Sequence, residues 1–180
     1  MKFRAYVEGE FESIKGCMLK QRFEVEVECG KCKARKSGIR IDGESIIRKD
    51  VGKRDDAKYN FVMKCQCDTE ICINVYEPEH TVLVTDKDGE NELKISPLEG
   101  DKVHIVDFWS TGGIIVSMDN VQLTIVAENL EMFENVDISK HMVAEQGKDV
   151  EVVIRDFKLS VIQIKWEKLI IFLCYYKFIF

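Results

Sequence analysis

Residues 23–32 read FEVEVECGKC, and residues 60–67 read NFVMKCQC. In both stretches apolar residues recur at every second position until the chain reaches a pair of cysteines. The pairs are Cys29/Cys32 in the first stretch and Cys65/Cys67 in the second. A period of two is typical of a β-strand that buries one face. The two stretches therefore predict two strands, each ending at a pair of candidate metal ligands.

The same period of two continues along the rest of the chain. Short apolar runs are separated by turn signals such as Asp42-Gly43 and Gly112-Gly113. Many short strands at close spacing favour a sandwich or barrel over a βαβ fold. Only Glu128 to Phe133 shows a weak helical pattern. We predict a mainly β fold, a two-sheet β-sandwich or barrel-like domain, with further strands at 71–76, 81–85, 93–95, 103–108, 114–118, 121–127, 150–154 and 157–164.

Composition limits the class of protein. The 180 residues are 46% hydrophobic and 32% charged, which suits one globular domain, and the net charge of −6 disfavours a dedicated nucleic-acid binder. The first residues, MKFRAYVEGEFES, contain no long apolar stretch, so we expect no signal peptide and a reducing, cytoplasmic compartment. In that compartment, seven cysteines indicate metal binding rather than a disulfide framework.

The alternating pattern ends near Lys168, so we assign residues 1–168 to one β domain, which contains both pairs of candidate metal ligands. The remaining Leu169 to Phe180 (LIIFLCYYKFIF) has Lys177 as its only charge. This segment is shorter than the ~20 residues of a membrane-spanning helix, so we expect no membrane span. This segment has three interpretations: a last core strand, a partner contact, or sequence outside the natural fold. The charge-rich stretch Arg48 to Lys58 is interpreted as a solvated loop.

The cysteine spacing points to one structural Zn²⁺ per chain. Cys29-x-x-Cys32 has the form of a zinc knuckle, in which Gly30 eases the turn. Cys65 and Cys67 would lie roughly 6.5–7 Å apart in an extended strand, so either the chain bends there or Cys72 replaces one of them. We favour Cys65 and Cys67. A thioredoxin-like redox pair needs a helix after the cysteines, and none is predicted here.

The remaining cysteines and the histidines give no metal-binding pattern. Cys17 and Cys174 stand alone and are interpreted as small buried apolar side chains. The three histidines are scattered without ligand spacing and are interpreted as ordinary surface or core residues.

Taken with IVDFWSTGG at residues 105–113 and FENVDI at 133–138, the two cysteine stretches resemble the eukaryotic CXXC-motif-containing zinc-binding protein family. The resemblance implies a mainly β, two-sheet fold, one bound zinc and no established enzymatic activity. It also implies the four ligands Cys29, Cys32, Cys65 and Cys67. The second pair departs from the family pattern, since the family has C-x-x-C where this chain has C-x-C.

The sequence is compatible with three functions. An all-thiolate zinc site leaves no open coordination position, and no catalytic motif is present, so we expect a non-enzymatic zinc-binding protein that presents a surface to a protein partner. A nucleic-acid-binding zinc ribbon is the first alternative, prompted by the basic run 31–36. The gap between Cys32 and Cys65 exceeds the 15–20 residues of typical ribbons. A thiol-based metal or redox handling protein is the second, prompted by the extra thiol of Cys72.

Overall fold

The computed structural model describes residues 1–49, 57–86, 88–138 and 142–164. Within these residues the chain forms strands and turns and no helix, because alternating apolar residues favour pleated structure throughout. The strands are β1 (Lys2–Glu12), β2 (Ile14–Leu19), β3 (Arg22–Cys29), β4 (Arg35–Asp42), β5 (Ile47–Lys49), β6 (Ala57–Tyr59), β7 (Phe61–Lys64), β8 (Glu70–Tyr76), β9 (Val82–Thr85), β10 (Glu92–Glu99), β11 (Lys102–Thr111), β12 (Gly113–Asp119), β13 (Gln122–Ala127), β14 (Met132–Asp137), β15 (Met142–Gln146) and β16 (Glu151–Ile164).

The large sheet is antiparallel and nearly closed, like a barrel. Its strands run in the order β14-β13-β2-β10-β11-β1-β16-β15, and β14 and β15 approach each other at the ends. Strand β11 pairs with β1 along one edge. Its other edge is shared, with β10 at the beginning of β11 and β8 at its end. This branching carries β7 and β8 away from the rest of the sheet.

The small sheet contains three strands in the order β12-β3-β4. The alternation of apolar and charged residues in β3 sets its two faces. Phe23, Val25 and Val27 of β3 are buried, whereas the glutamates between them point outward. Strands β5 and β6 form a separate pair of their own.

The main core lies between the large and the small sheet. Phe23 of β3 and Phe108 of β11 meet edge to face, with ring centroids 5.6 Å apart and an interplanar angle of 71°. Both rings belong to one continuous apolar cluster that includes residues of β1, β3, β4, β8, β11 and β12. Burial of a Phe side chain stabilises a fold by about 1.5–3 kcal/mol, so this contact is a strong tie between the sheets. The predicted mainly β, two-sheet fold is confirmed.

Two local predictions change. Glu128 to Phe133 is not helical; it forms a turn followed by the start of β14, which pairs with β13. Met132 and Phe133 pair with Val126 and Ile125 of β13, and this strand pairing overrides the weak helical pattern. The ends of the predicted loop 48–58 belong to β5 and β6. The apolar segment 169–180 lies outside the described residues, as do Cys174 and His141.

Among the described residues, no helix has the length and hydrophobicity that crossing a membrane would require.

Candidate metal centre

Two tight turns, one from each sheet, face each other at one end of the molecule. The first connects β3 to β4 of the small sheet, with Cys29 at the end of β3 and Cys32 within the turn. The second connects β7 to β8, a branch of the large sheet, and contains Cys65 and Cys67. Each sheet therefore contributes two thiols to one place.

The four sulfur atoms form a compact cluster. All four Sγ atoms lie within 4.8 Å of one another. The sulfurs of Cys29 and Cys67 are 3.6 Å apart, and those of Cys32 and Cys65 are 3.5 Å apart. Four thiolates at a Zn–S distance of ~2.3 Å would stand ~3.8 Å from each other at the corners of a tetrahedron. The observed sulfur–sulfur spacing therefore fits tetrahedral coordination of an ion of the size of Zn²⁺.

Backbone hydrogen bonds show how a C-x-C pair and a C-x-x-C pair form matching turns. In the first turn, Lys33 N–H donates to Cys29 O at 3.1 Å, and Lys33 has a φ of 62°. In the second turn, Asp68 N–H donates to Cys65 O at 2.9 Å, and Asp68 also has a φ of 62°. The second turn is one residue shorter, but both end on a left-handed residue directly after the second cysteine. The chain therefore bends between Cys65 and Cys67, so the spacing of roughly 6.5–7 Å expected in an extended strand does not apply to this pair.

A corner between β11 and β12 holds the two turns together. The chain leaves the large sheet at Thr111 and enters the small sheet at Gly113, which pairs with Cys29. Gly30 N–H donates to Gly112 O at 2.9 Å, and Ser110 Oγ donates to Gly113 O at 2.8 Å. A Cβ atom on Gly112 would lie 2.0 Å from the Glu70 carbonyl oxygen. The corner thus touches both cysteine turns, and only glycine fits at its apex.

Sequence reasoning missed this role. Gly112-Gly113 was identified only as a turn signal, although two consecutive glycines are also a signal for close backbone approach.

The other candidate thiols lie elsewhere. Cys72 is buried in β8, opposite Val62 of β7, and its thiol contacts Glu70 Oε1 at 3.5 Å rather than joining the sulfur cluster. Cys17 is buried in β2, as predicted, and burial raises the pKa of its thiol to about 12. His104 is also a structural residue, since its Nε2 lies 3.0 Å from Asp107 Oδ1.

The environment of two thiols favours the thiolate form. The Thr69 hydroxyl, 3.1 Å from Cys67 Sγ, and the Thr69 backbone N–H lower the pKa of Cys67 to about 6. The backbone N–H of Cys32 lowers the pKa of Cys29, and the backbone N–H of Lys31 adds to this effect. Burial acts in the opposite direction but is outweighed. Hydrogen bonds to sulfur favour the anion in both cases.

Crowding has the opposite effect on a third thiol. The Ala34 N–H favours the thiolate of Cys32, but the neighbouring thiols of Cys65 and Cys67 outweigh it and the pKa of Cys32 rises to about 12. Four sulfurs this close do not all ionise without a compensating charge. A soft divalent cation supplies that charge, and tetrahedral S₄ sets are typical of zinc. The chemistry of the donor set therefore fits Zn²⁺.

Comparison with known proteins agrees with this geometry. The sequence model of the CXXC motif containing zinc binding proteins of eukaryotes matches residues 6–162. The chain belongs to this family. The matched range includes all four clustered cysteines and the Gly112 corner, so the sulfur cluster lies within the region that assigns the chain to a zinc-binding family.

Relatives of the chain extend over nearly its whole length. An uncharacterised protein of Encephalitozoon cuniculi is 23% identical, with 89% of this chain and 98% of that protein covered. A hypothetical protein from Plasmodium falciparum has a similar solved structure, with a TM-score of 0.67, 10% identity, and coverage of 89% of this chain and 99% of that one. The crystal structure of C1orf123 also has a TM-score of 0.67, with 16% identity and coverage of 91% and 100%. These structures share the fold.

Proposed function

We propose that Cys29, Cys32, Cys65 and Cys67 hold one structural Zn²⁺ that joins the two sheets, and that the folded chain acts without catalysis by presenting a surface to a protein partner. The observation that carries the proposal is the origin of the four sulfurs. Two come from the small sheet and two from the large sheet, yet all lie within 4.8 Å of one another. A bound cation at this position crosslinks strands that are far apart in sequence.

The donor set supports a structural rather than a catalytic role. Four thiolates fill the tetrahedral coordination of zinc and leave no position for water or substrate. The bound Zn²⁺ would only stabilise the fold. In small peptide sites, structural zinc contributes ~10–16 kcal/mol of apparent binding free energy. The net stability of a typical domain is only ~5–15 kcal/mol, so loss of the ion would unfold much of this one.

Ion pairs across the small sheet disfavour the nucleic-acid alternative. Two residues of the basic run 31–36 that prompted it, Lys33 and Arg35, face a glutamate of β3: Arg35 Nε lies 3.1 Å from Glu28 Oε2. Lys33 Nζ is 3.6 Å from Glu28 Oε1. Phosphate binding needs several cations that are not already paired. Binding to RNA or DNA that weakens steeply across a salt series would revive this alternative.

The exposure of Cys32 favours a second candidate, a thiol-based metal carrier. Cys29 is buried, whereas Cys32 is exposed at the edge of the cluster, where an incoming thiol reaches it. A carrier must release its ion readily. Zinc that stays bound in the presence of a strong chelator under native conditions supports the structural role, and rapid release supports the carrier.

Affinity purification from the native cell tests the main proposal. The tagged chain is compared with Cys29→Ser, which removes a proposed ligand, and with Cys17→Ser, which changes a buried cysteine outside the cluster. We expect a partner that binds the wild type and Cys17→Ser but not Cys29→Ser. No specific partner for the zinc-loaded wild type would contradict the interaction role.

A further inference from the structure

The open side of the sandwich, next to the sulfur cluster, is lined by two edge strands. Among the described residues, β4 hydrogen-bonds only to β3, and β7 only to β8. The sulfur contacts align these strands, since Cys29 meets Cys67 on the β3/β8 side and Cys32 meets Cys65 on the β4/β7 side. Strands β4 and β7 thus form the two walls of a groove, here called the edge groove, which the sulfur cluster closes at one end.

The edge groove has an apolar floor. Val27 and Ile71, both almost fully buried, lie at its base, and the partly exposed Met63 lines one wall. Its volume is about 250 Å³. This volume is below the ~300–1,000 Å³ of typical small-molecule sites. It therefore indicates a site for one side chain of a larger ligand rather than a cofactor pocket.

The rim of the edge groove is positively charged. Arg35 and Lys36 lie on the β4 wall and Lys64 on the β7 wall, and no carboxylate lines the groove among the described residues. Arg35 is paired with Glu28 of β3, which lies outside this lining, at 3.1 Å. Lys36 forms no ion pair with any described residue. Lys64 pairs with Asp68 at 2.8 Å, but both side chains are more than two-thirds exposed, and such a pair is worth only about 0–1 kcal/mol. A carboxylate of a ligand competes with it at small cost.

These features select one kind of occupant. Free strand edges offer backbone hydrogen bonds to an extended segment, and the floor takes an apolar side chain from one face of that segment. The cationic rim selects acidic residues beside it. The chain's own segment 169–180 contains no acidic residue, so it lacks this complementarity. With only three cations on the rim, a nucleic-acid backbone finds few contacts.

We propose that the edge groove is the docking site of the protein partner, and that it binds an extended acidic segment with an apolar residue between its carboxylates. This rests on the proposed function, because the bound ion holds the ends of β4 and β7 at their observed separation. Loss of zinc therefore removes the groove together with the fold.

Synthetic peptides test the site. The probe is a fluorescent octapeptide, Glu-Val-Glu-Ile-Glu-Val-Glu-Thr, and its controls replace every Glu by Lys or every Val and Ile by Ser. With the zinc-loaded chain we expect fluorescence anisotropy to give a Kd below about 1 mM for the acidic peptide alone. Its amide signals should shift mainly at residues 34–36 and 63–66 in NMR spectra. No binding by the acidic peptide, or shifts confined to another face, would overturn the proposal.

Charge reversal adds a matched comparison. Lys36→Glu/Lys64→Glu should weaken binding of the acidic peptide at least ~10-fold. Lys15→Glu/Lys158→Glu should leave this binding unchanged, although it makes the same change of net charge at exposed positions outside the groove. Should the first variant lose zinc because Lys64 precedes Cys65, Lys36→Glu alone serves in its place. Equal weakening by both pairs would overturn the proposal.

The same variants separate this inference from the proposed function. A cellular partner that binds Lys36→Glu/Lys64→Glu as well as wild type docks elsewhere, so the groove assignment fails and the interaction role stands. Absence of any partner for the wild type contradicts the interaction role itself.

Discussion

Replacing Gly112 by alanine should damage the metal centre from outside it. The new Cβ would lie 2.0 Å from the Glu70 carbonyl oxygen and 3.0 Å from its carbon, which are backbone atoms that no side-chain rotation can move away. Real contacts of this kind are at least 3.0 Å, so Glu70 must retreat by about 3.0 − 2.0 = 1.0 Å. Glu70 begins β8, three residues after Cys67. Zinc–ligand distances tolerate only about ±0.2 Å, so the sulfur cluster should open.

The magnitude follows from three effects. The φ of Gly112 is +72°, and a left-handed conformation costs a residue with a Cβ about 1–2 kcal/mol. Loss of the hydrogen bond from Gly30 N–H to Gly112 O costs about 0.5–1.5 kcal/mol more. Displacement of a group that supports the ligands typically lowers metal affinity by about 10–100-fold. We therefore expect both a lower unfolding midpoint and weaker zinc binding.

Gly100→Ala is the matched control. Gly100 has a φ of +68°, but its Cβ would meet no atom within 4 Å. It should show the conformational cost alone, with zinc affinity unchanged. Thermal unfolding should place Gly112→Ala at least about 2–4 °C below Gly100→Ala, the shift expected for ~1 kcal/mol in a domain of this size. Zinc affinity is measured by competition with a chromophoric chelator. Equal midpoints and equal zinc affinities in the two variants would refute the role assigned to the corner.

Further predictions concern the ligands, the core, the buried carboxylate and the tail. Cys32→Ser should lose zinc, while Cys17→Ser and Cys72→Ser should retain it, as measured by elemental analysis; the reverse pattern would contradict the assignment. Phe108→Ala should lower the free energy of unfolding by about 3–5 kcal/mol in urea titrations, because the ring is fully buried against Phe23, and a loss below 1 kcal/mol would mean that the sheets are joined elsewhere. Burial opposes ionisation of Asp107, but the His104 hydrogen bond and the Lys2 charge outweigh it and lower its pKa. The contribution of the Asp107 carboxylate to stability is therefore present above its unfolded pKa of about 3.9 and is lost as the pH falls through its lower pKa in the folded state. Asp107→Asn should therefore make the free energy of unfolding depend less on pH below about pH 4. Truncation after Lys168 should leave zinc content and unfolding midpoint unchanged, and an insoluble product would make the tail part of the core.

The period of two made most strands predictable. Phe23, Val25 and Val27 were expected on the buried face of β3 from alternation alone, and they lie there. Alternation shows which residues share a face, but it carries no information about which strands pair. The branching of β11 between β10 and β8 depends on packing between segments distant in sequence. That branching brings the β7–β8 turn opposite the β3–β4 turn.

The candidate site was predictable in its residues but not in its geometry. Spacing alone could not decide between Cys67 and Cys72, because that choice depends on a turn closed by Asp68 N–H and Cys65 O. It also depends on the direction in which Cys72 points within β8, toward Glu70. The contribution of Thr69 was equally hidden, since a threonine two residues after a cysteine is common and acquires meaning only when its hydroxyl reaches sulfur.

X-ray absorption at the zinc K-edge, combined with elemental analysis of the purified chain, would show whether the four clustered cysteines hold a zinc ion. We expect one zinc per chain surrounded by four sulfur atoms at ~2.3 Å, with nitrogen and oxygen absent from the coordination sphere. A folded chain without zinc, or a zinc ion with oxygen or nitrogen among its ligands, would contradict this expectation.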